Sequence, residues 1–274
     1  MAMERLFQLM HEKHASDMFF AAHSPVHFKI GGKLTPVNQQ NLTPENIEAL
    51  LSQVADPAQM AELAATNELN MGVSQPGVGR FRLSAFRQRG SISAVFRYIP
   101  GDIPALPDLN LPPVLADLIM AKRGLLLIVG ATGSGKSTTI AAMLDHRNAH
   151  SAGHILTLED PIEFLFRNKQ SIVNQREIGT DATSFATALR NALRQAPDCI
   201  LIGEIRDKEA MAAALAYAQS GHLVVATLHA NNSYNALNRI IGFYPVENRA
   251  ALMQDLSSTL QAIVAQRLVP ALNG

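Results

Sequence analysis

The chain has 274 residues, 47% of them hydrophobic and 17% charged, which suits one large or two smaller folded domains and excludes a disordered chain. Its 23 basic residues balance 23 acidic ones, which speaks against the net positive surface behind non-specific nucleic-acid binding, so no nucleic-acid partner is expected. The apolar runs fall short of the ~20 residues a membrane-spanning helix needs, and the N-terminus "MAMERLFQLMHEKHAS" lacks the uninterrupted apolar core of a signal peptide.

Over residues 1–98 the pattern is α plus antiparallel β. "VHFKIGGKLTPV" alternates around Gly31-Gly32, a hairpin signal. Thr43 followed by Pro44 reads as an N-cap and first helical residue opening "ENIEALLSQV". A second hairpin is predicted from "GRFRLSAFRQRGSISAVFRYI". Phe81, Leu83 and Ala85 share one face of its first arm, and Arg80 and Arg82 the other. In the return arm Ile92, Ala94, Phe96 and Tyr98 alternate with Ser91, Ser93 and Arg97. The face carrying Arg80, Arg82 and Arg97 is either a solvated sheet surface or one aimed at an anion.

Five of the fourteen prolines fall in "YIPGDIPALPDLNLPP". Proline fixes φ and removes amide donors, so residues 99–113 read as an extended linker. From residue 114 to 274, the apolar runs "LLLIVG", "HILTLE", "CILIGE" and "LVVATL" alternate with helical stretches. That is the mark of a parallel α/β sheet, whose ligands sit at the carboxyl ends of the strands.

The first run leads into Gly130, Ala131, Thr132, Gly133, Ser134, Gly135, Lys136, Ser137 and Thr138, a full Walker A pattern. Such glycines let backbone N–H groups converge on a phosphate at a helix N-terminus. Lys136 is expected to reach the β/γ-phosphates of ATP, and Ser137 to offer its hydroxyl to Mg²⁺. "LTLEDPIEF" places Glu159, Asp160 and Glu163 after the second strand, and Glu204 follows the third. Phosphoryl transfer to water uses such acids to activate the water or hold the metal; the alternative roles are strand-end caps and salt-bridge partners. The fourth strand ends at His229 and has His222 at its start, and a histidine there can hydrogen-bond a phosphate or an acid, or serve structure alone. Cys199, within "DCILIGE", is the only cysteine and reads as a small core residue of a protein from a reducing compartment.

In order and spacing, "GATGSGKSTT", "LTLEDPIEF", "LIGEIRD" and "GHLVVATLHANN" resemble the Walker A, Asp box, Walker B and His box of secretion-type hexameric ATPases. Within that superfamily the chain is similar to the type IV pilus retraction ATPases, the PilT/PilU family. "GRFRLSAFRQR", "AKRGLLLIVGATG", "RQAPD", "TLHANN" and "AIVAQRLVP" lie on the PilU side. The resemblance implies a smaller α+β PAS-like domain followed by a RecA-like P-loop ATPase domain. It also implies a homo-hexameric ring, cytoplasmic and peripheral at the inner membrane, beneath the pilus platform protein. By it Glu163 is the general base, Glu204 supports Mg²⁺ directly or through water, and His229 belongs to the catalytic set. Arg82 and Arg97 match arginines that close on the phosphates, whereas Arg190, Arg194 and Arg239 match positions at subunit contacts. The activity implied is ATP hydrolysis driving pilus retraction; the alternative is a nucleotide-binding accessory subunit acting only with a PilT-like retraction ATPase. Family members continue past "VPALNG", so their C-terminal region is expected to be missing here.

Overall fold

Two stretches of patterned hydrophobicity, one on each side of the proline-rich segment, fold as two separate sheets. The computed structural model describes residues 2–99 and 101–269, and the chain divides into the units Met1–Gly101 and Asp102–Gly274.

The first unit runs α1 (Met3–Glu12), β1 (Asp17–Phe20), β2 (His27–Ile30), β3 (Lys33–Pro36), α2 (Pro44–Leu51), α3 (Pro57–Thr66), β4 (Glu68–Gln75), β5 (Gly79–Gln88) and β6 (Ser91–Ile99). Its strands lie in the order β3-β2-β1-β6-β5-β4, every neighbouring pair antiparallel. Both predicted hairpins are present. Gly31 and Gly32 take φ of 56° and 81°, the left-handed turn that glycine tolerates. Thr43 caps α2 in a reciprocal box with Asn46, and Asp56 caps α3 the same way with Gln59. Met3, Leu6, Phe7 and Met10 line the buried stripe of α1. The Phe7 ring stacks on Phe81 at 4.1 Å and meets Phe96 edge-on at 5.4 Å, so the apolar face of the second hairpin closes on this helix. The sequence pattern does not announce β1, which is short, or β4, "ELNMGVSQ", whose alternation is broken by glycine.

The second unit runs α4 (Val114–Ile119), β7 (Gly124–Val129), α5 (Lys136–His150), β8 (Gly153–Glu159), β9 (Ser171–Glu177), α6 (Phe185–Ala192), β10 (Cys199–Ile202), α7 (Lys208–Gln219), β11 (Leu223–Leu228), α8 (Ser233–Gly242), α9 (Arg249–Thr259) and β12 (Leu260–Ala265). The strand order is β12-β7-β11-β10-β8-β9, all parallel. β7 is buried at every position because both faces are covered. Leu125, Leu127 and Val129 pack into one core with α6 to α9, and Leu126 and Ile128 into another with α4 and α5. The sheet edges β9 and β12 escape the sequence pattern. An edge strand has one ladder neighbour and a half-wet face, so "SIVNQRE" is mostly polar.

The proline-rich stretch divides between the units instead of forming one extended tether. Ile99 ends β6, whereas Leu106, Leu109 and Leu111 pack against the core beneath α4 and α5. The leucines between the prolines bury apolar surface and draw the segment onto the second unit.

Phe81→Ala, which deletes the ring stacked on Phe7, should destabilise the first unit by about 3–5 kcal/mol. A fall in the urea midpoint of that unit's unfolding transition is the check.

Candidate active site

The turn between β7 and α5 is shaped by close approach. A Cβ on Gly130 would lie 2.5 Å from both the Gln266 carbonyl oxygen and Ser134 Oγ, and one on Gly135, at φ 87°, would lie 3.0 Å from Gln266 Nε2. Ala131, Thr132 and Gly133 form the exposed crest of the loop, and Ser134 turns inward. The Ser134 hydroxyl is buried with no hydrogen-bond partner among the described residues. Gly135 is the N-cap of α5 and supplies no side-chain acceptor, so the amides of Lys136, Ser137 and Thr138 face an anion-binding helix end.

Lys136 is only 9% exposed. Its Nζ donates to the Gly130 and Ala131 carbonyls at 2.9 Å each. Burial pulls its pKa below the ordinary lysine value, against the opposing charges of Glu204 and Glu163. The charges of those two acids, on separate loops, are thus felt at the ammonium group.

Because β11 lies between β7 and β10, its end projects between the phosphate loop and the loop bearing Glu204. His229 Nε2 stands 3.3 Å from Glu204 Oε1, and Arg206 Nε donates to Glu204 Oε2 at 2.8 Å. Arg206 also reaches Asp160 at 3.4 Å. It is a site neighbour that sequence reading missed, although it stands two residues past Glu204 in "GEIRD". Asp160 is exposed, Glu163 is exposed, and Glu159 is turned inward. Glu159 accepts from Thr157 Oγ1 at 2.6 Å and Gln175 Nε2 at 3.2 Å. Burial raises its carboxyl above the usual range, with these hydrogen bonds pulling the other way. Glu159 is thus a structural acid of the strand end, whereas Glu163 and the Arg206-paired Asp160 are presented outward.

Gln266 was also missed as a site residue. Its amide donates to the Val129 carbonyl at 2.8 Å and its Oε1 accepts from Thr139 Oγ1 at 2.9 Å; its place directly after "AIVA", on the strand beside β7, is the available signal. Arg239 donates to the His229 carbonyl at 3.3 Å, while Arg190 and Arg194 are exposed on and just after α6. His222 lies at the opposite edge of the sheet. Its Nδ1 sits 3.1 Å from the Tyr217 carbonyl and 3.0 Å from Ser220 Oγ at the end of α7, a structural role. Cys199 is fully buried, and burial pushes its thiol up to about 12.

In the first unit, Arg82 and Arg97 are directly paired across β5 and β6, and Asp17 is paired with Arg97 from the other side. Arg97 Nε bonds Asp17 Oδ1 at 2.8 Å, with the Asp17 side chain 6% exposed and that of Arg97 63% exposed. A buried carboxylate thus anchors Nε and leaves the terminal nitrogens of the guanidinium outward.

Among the described residues, no group of three or more His, Cys, Asp or Glu is arranged to hold a metal, and no helix is long and apolar enough to cross a membrane. The donor set near the helix end, the Ser137 hydroxyl and the Glu204 carboxylate, is hard oxygen. It fits Mg²⁺, which takes many of its ligands from phosphates and water.

The family model described as type II/IV secretion system protein matches residues 2–274. The chain is 48% identical over 274 residues to the type IV pilus ATPase PilU of Pseudomonas aeruginosa, covering 100% of this chain and 72% of that one. It is 39% identical over 260 residues to the type IV pilus retractation ATPase PilT of the same organism, covering 95% and 76%. Among solved structures, the pilus retraction motor PilT with bound ADP superposes with a TM-score of 0.96 at 41% identity, covering 100% of this chain and 80% of that one.

Gly130→Ala forces a methyl against Gln266 and Ser134, an overpacking cost of about 1–3 kcal/mol. Affinity for a fluorescent ATP analogue should fall about ten-fold while circular dichroism stays unchanged.

Proposed function

The chain belongs to the type II/IV secretion system protein family and is an ATPase of it, and from that premise we propose that it hydrolyses ATP with Mg²⁺ to drive type IV pilus retraction as a ring of six. The observation that carries the reading is the phosphate loop itself, a glycine turn opening α5 with Lys136 folded back onto the Gly130 and Ala131 carbonyls, in a chain similar to PilU and PilT. The similarity to PilU and PilT supplies the pilus and the direction of work.

In this reading the amides of Gly130 to Thr138 cradle the phosphates, and Lys136 exchanges its bonds to the Gly130 and Ala131 carbonyls for bonds to the β- and γ-phosphates. Ser137 would hold Mg²⁺ directly. Glu204 would do so through water, since both of its oxygens are already engaged by Arg206 and His229. The ion, when bound, neutralises charge on the phosphates. Glu163 orients a water and accepts its proton, and His229, tied to Glu204, links phosphate occupancy to β11. Arg82 and Arg97, on the first unit, carry guanidinium groups suited to binding a phosphate anion. The protein works in the cytoplasm, peripheral at the inner membrane, against a platform protein and together with a PilT-like retraction ATPase.

Glu163→Gln should bind ATP with unchanged affinity and hydrolyse it ~10²–10⁴-fold more slowly, read as single-turnover phosphate release. Near-wild-type turnover would overturn the assignment. Steady-state hydrolysis by the full chain, alone and with a PilT-like ATPase, separates an independent motor from an accessory subunit: activity seen only with the partner supports the latter.

A further inference from the structure

Glu163 sits in a segment with no ladder of its own. Residues 160–166 leave β8 without forming helix or strand, so their backbone groups need partners from elsewhere. The edge strand β9 supplies them through side chains. Glu177 Oε2 accepts from the Ile162 amide at 3.0 Å. Gln175 Nε2 donates to the Phe164 carbonyl at 2.8 Å, and its Oε1 accepts from the Phe166 amide at 2.9 Å. Residues 162 and 164 are therefore gripped on either side of Glu163.

The register of the two strands explains how so few side chains do this. Thr157 lies opposite Gln175, and Glu159 opposite Glu177, and alternate strand residues share a face. Gln175 Nε2 also donates to Glu159 Oε1 at 3.2 Å, which ties the two strands together beneath the segment. Glu177 is 2% exposed and Ile162 4%, so the anchor is shielded from water. A primary amide supplies both the donor for the Phe164 carbonyl and the acceptor for the Phe166 amide at one position without carrying charge.

We infer that Gln175, supported by Glu177, is a positioning residue that fixes Glu163 for attack of water on the γ-phosphate, from a strand outside the four phosphate-site motifs. The inference rests on Glu163 being the water-activating acid. Misplacing a catalytic group by about 1 Å costs on the order of 10²-fold in rate. Gln175→Leu should therefore lower single-turnover hydrolysis by ~10–10²-fold and leave ATP affinity unchanged. In a Glu163→Gln background the same substitution should cost almost nothing more, because the group it positions is already gone.

Gln175→Glu keeps the size of the side chain and guards against a misfolded leucine variant. Its ionised carboxylate repels the Phe164 carbonyl and Glu159, whereas its protonated form restores one donor and one acceptor. Its rate relative to wild type should recover as the pH falls. A wild-type rate for folded Gln175→Leu, a loss that is fully additive with Glu163→Gln, or a pH-independent ratio for Gln175→Glu would each overturn the inference. Normal turnover by Glu163→Gln itself would instead remove the reading beneath it, and the two failures are thereby told apart.

Discussion

The charge that organises the second unit is the ammonium of Lys136, drawn out of water and held against the carbonyls of Gly130 and Ala131. A parallel sheet delivers every strand end to one edge, and here the ends of β8 and β10 lead into Glu159, Asp160, Glu163 and Glu204. Acids so crowded are tolerable only with cations among them. The charges of Glu204 and Glu163 act on Lys136, and Arg206 pairs with both Glu204 and Asp160. These pairs are partly exposed, so their value is placement more than stability. What they achieve is an edge where negative side chains and a buried ammonium coexist around a helix terminus free to receive an anion.

The acids divide by environment, not by type. Glu159 is withdrawn from water and consumed by Thr157 and Gln175. Glu177 is buried and spent on the Ile162 amide. Glu204 is bound on both oxygens. Among the described residues, Glu163 alone of the three in "LTLEDPIEF" faces outward without a salt bridge, and hydrogen bonds to residues 162 and 164 hold the backbone on either side of it. That distribution leaves one outward carboxylate outside the salt bridges and gives the others to architecture. The same economy appears in the first unit, where buried Asp17 anchors Nε of Arg97 so that its terminal nitrogens face outward beside Arg82.

Much of the fold was legible because its signals are local. The hairpin at Gly31-Gly32, the Thr43-Pro44 helix start and the strand–turn–helix of residues 124–150 each lie within one short window. The apolar strands β7, β8, β10 and β11 could be read because burial on both faces demands unbroken hydrophobicity. The edges β9 and β12 could not. Among the described residues each has a single ladder neighbour; β9, "SIVNQRE", is mostly polar, and β12, "LQAIVA", pairs with β7, distant in the chain.

The amino-acid sequence by itself determined the phosphate loop, the alternation of strand and helix, the arginine-bearing hairpin face and the crowding of acids at strand ends, since each follows from spacing along a few residues. Tertiary structure alone decided which acids face outward and which are spent within the fold. It also decided that β11 carries His229 to Glu204, that Arg206 bridges to Asp160 across 46 residues, and that Gln266 meets Thr139 across 127. Contacts of that separation depend on strand order and register, which no local pattern encodes.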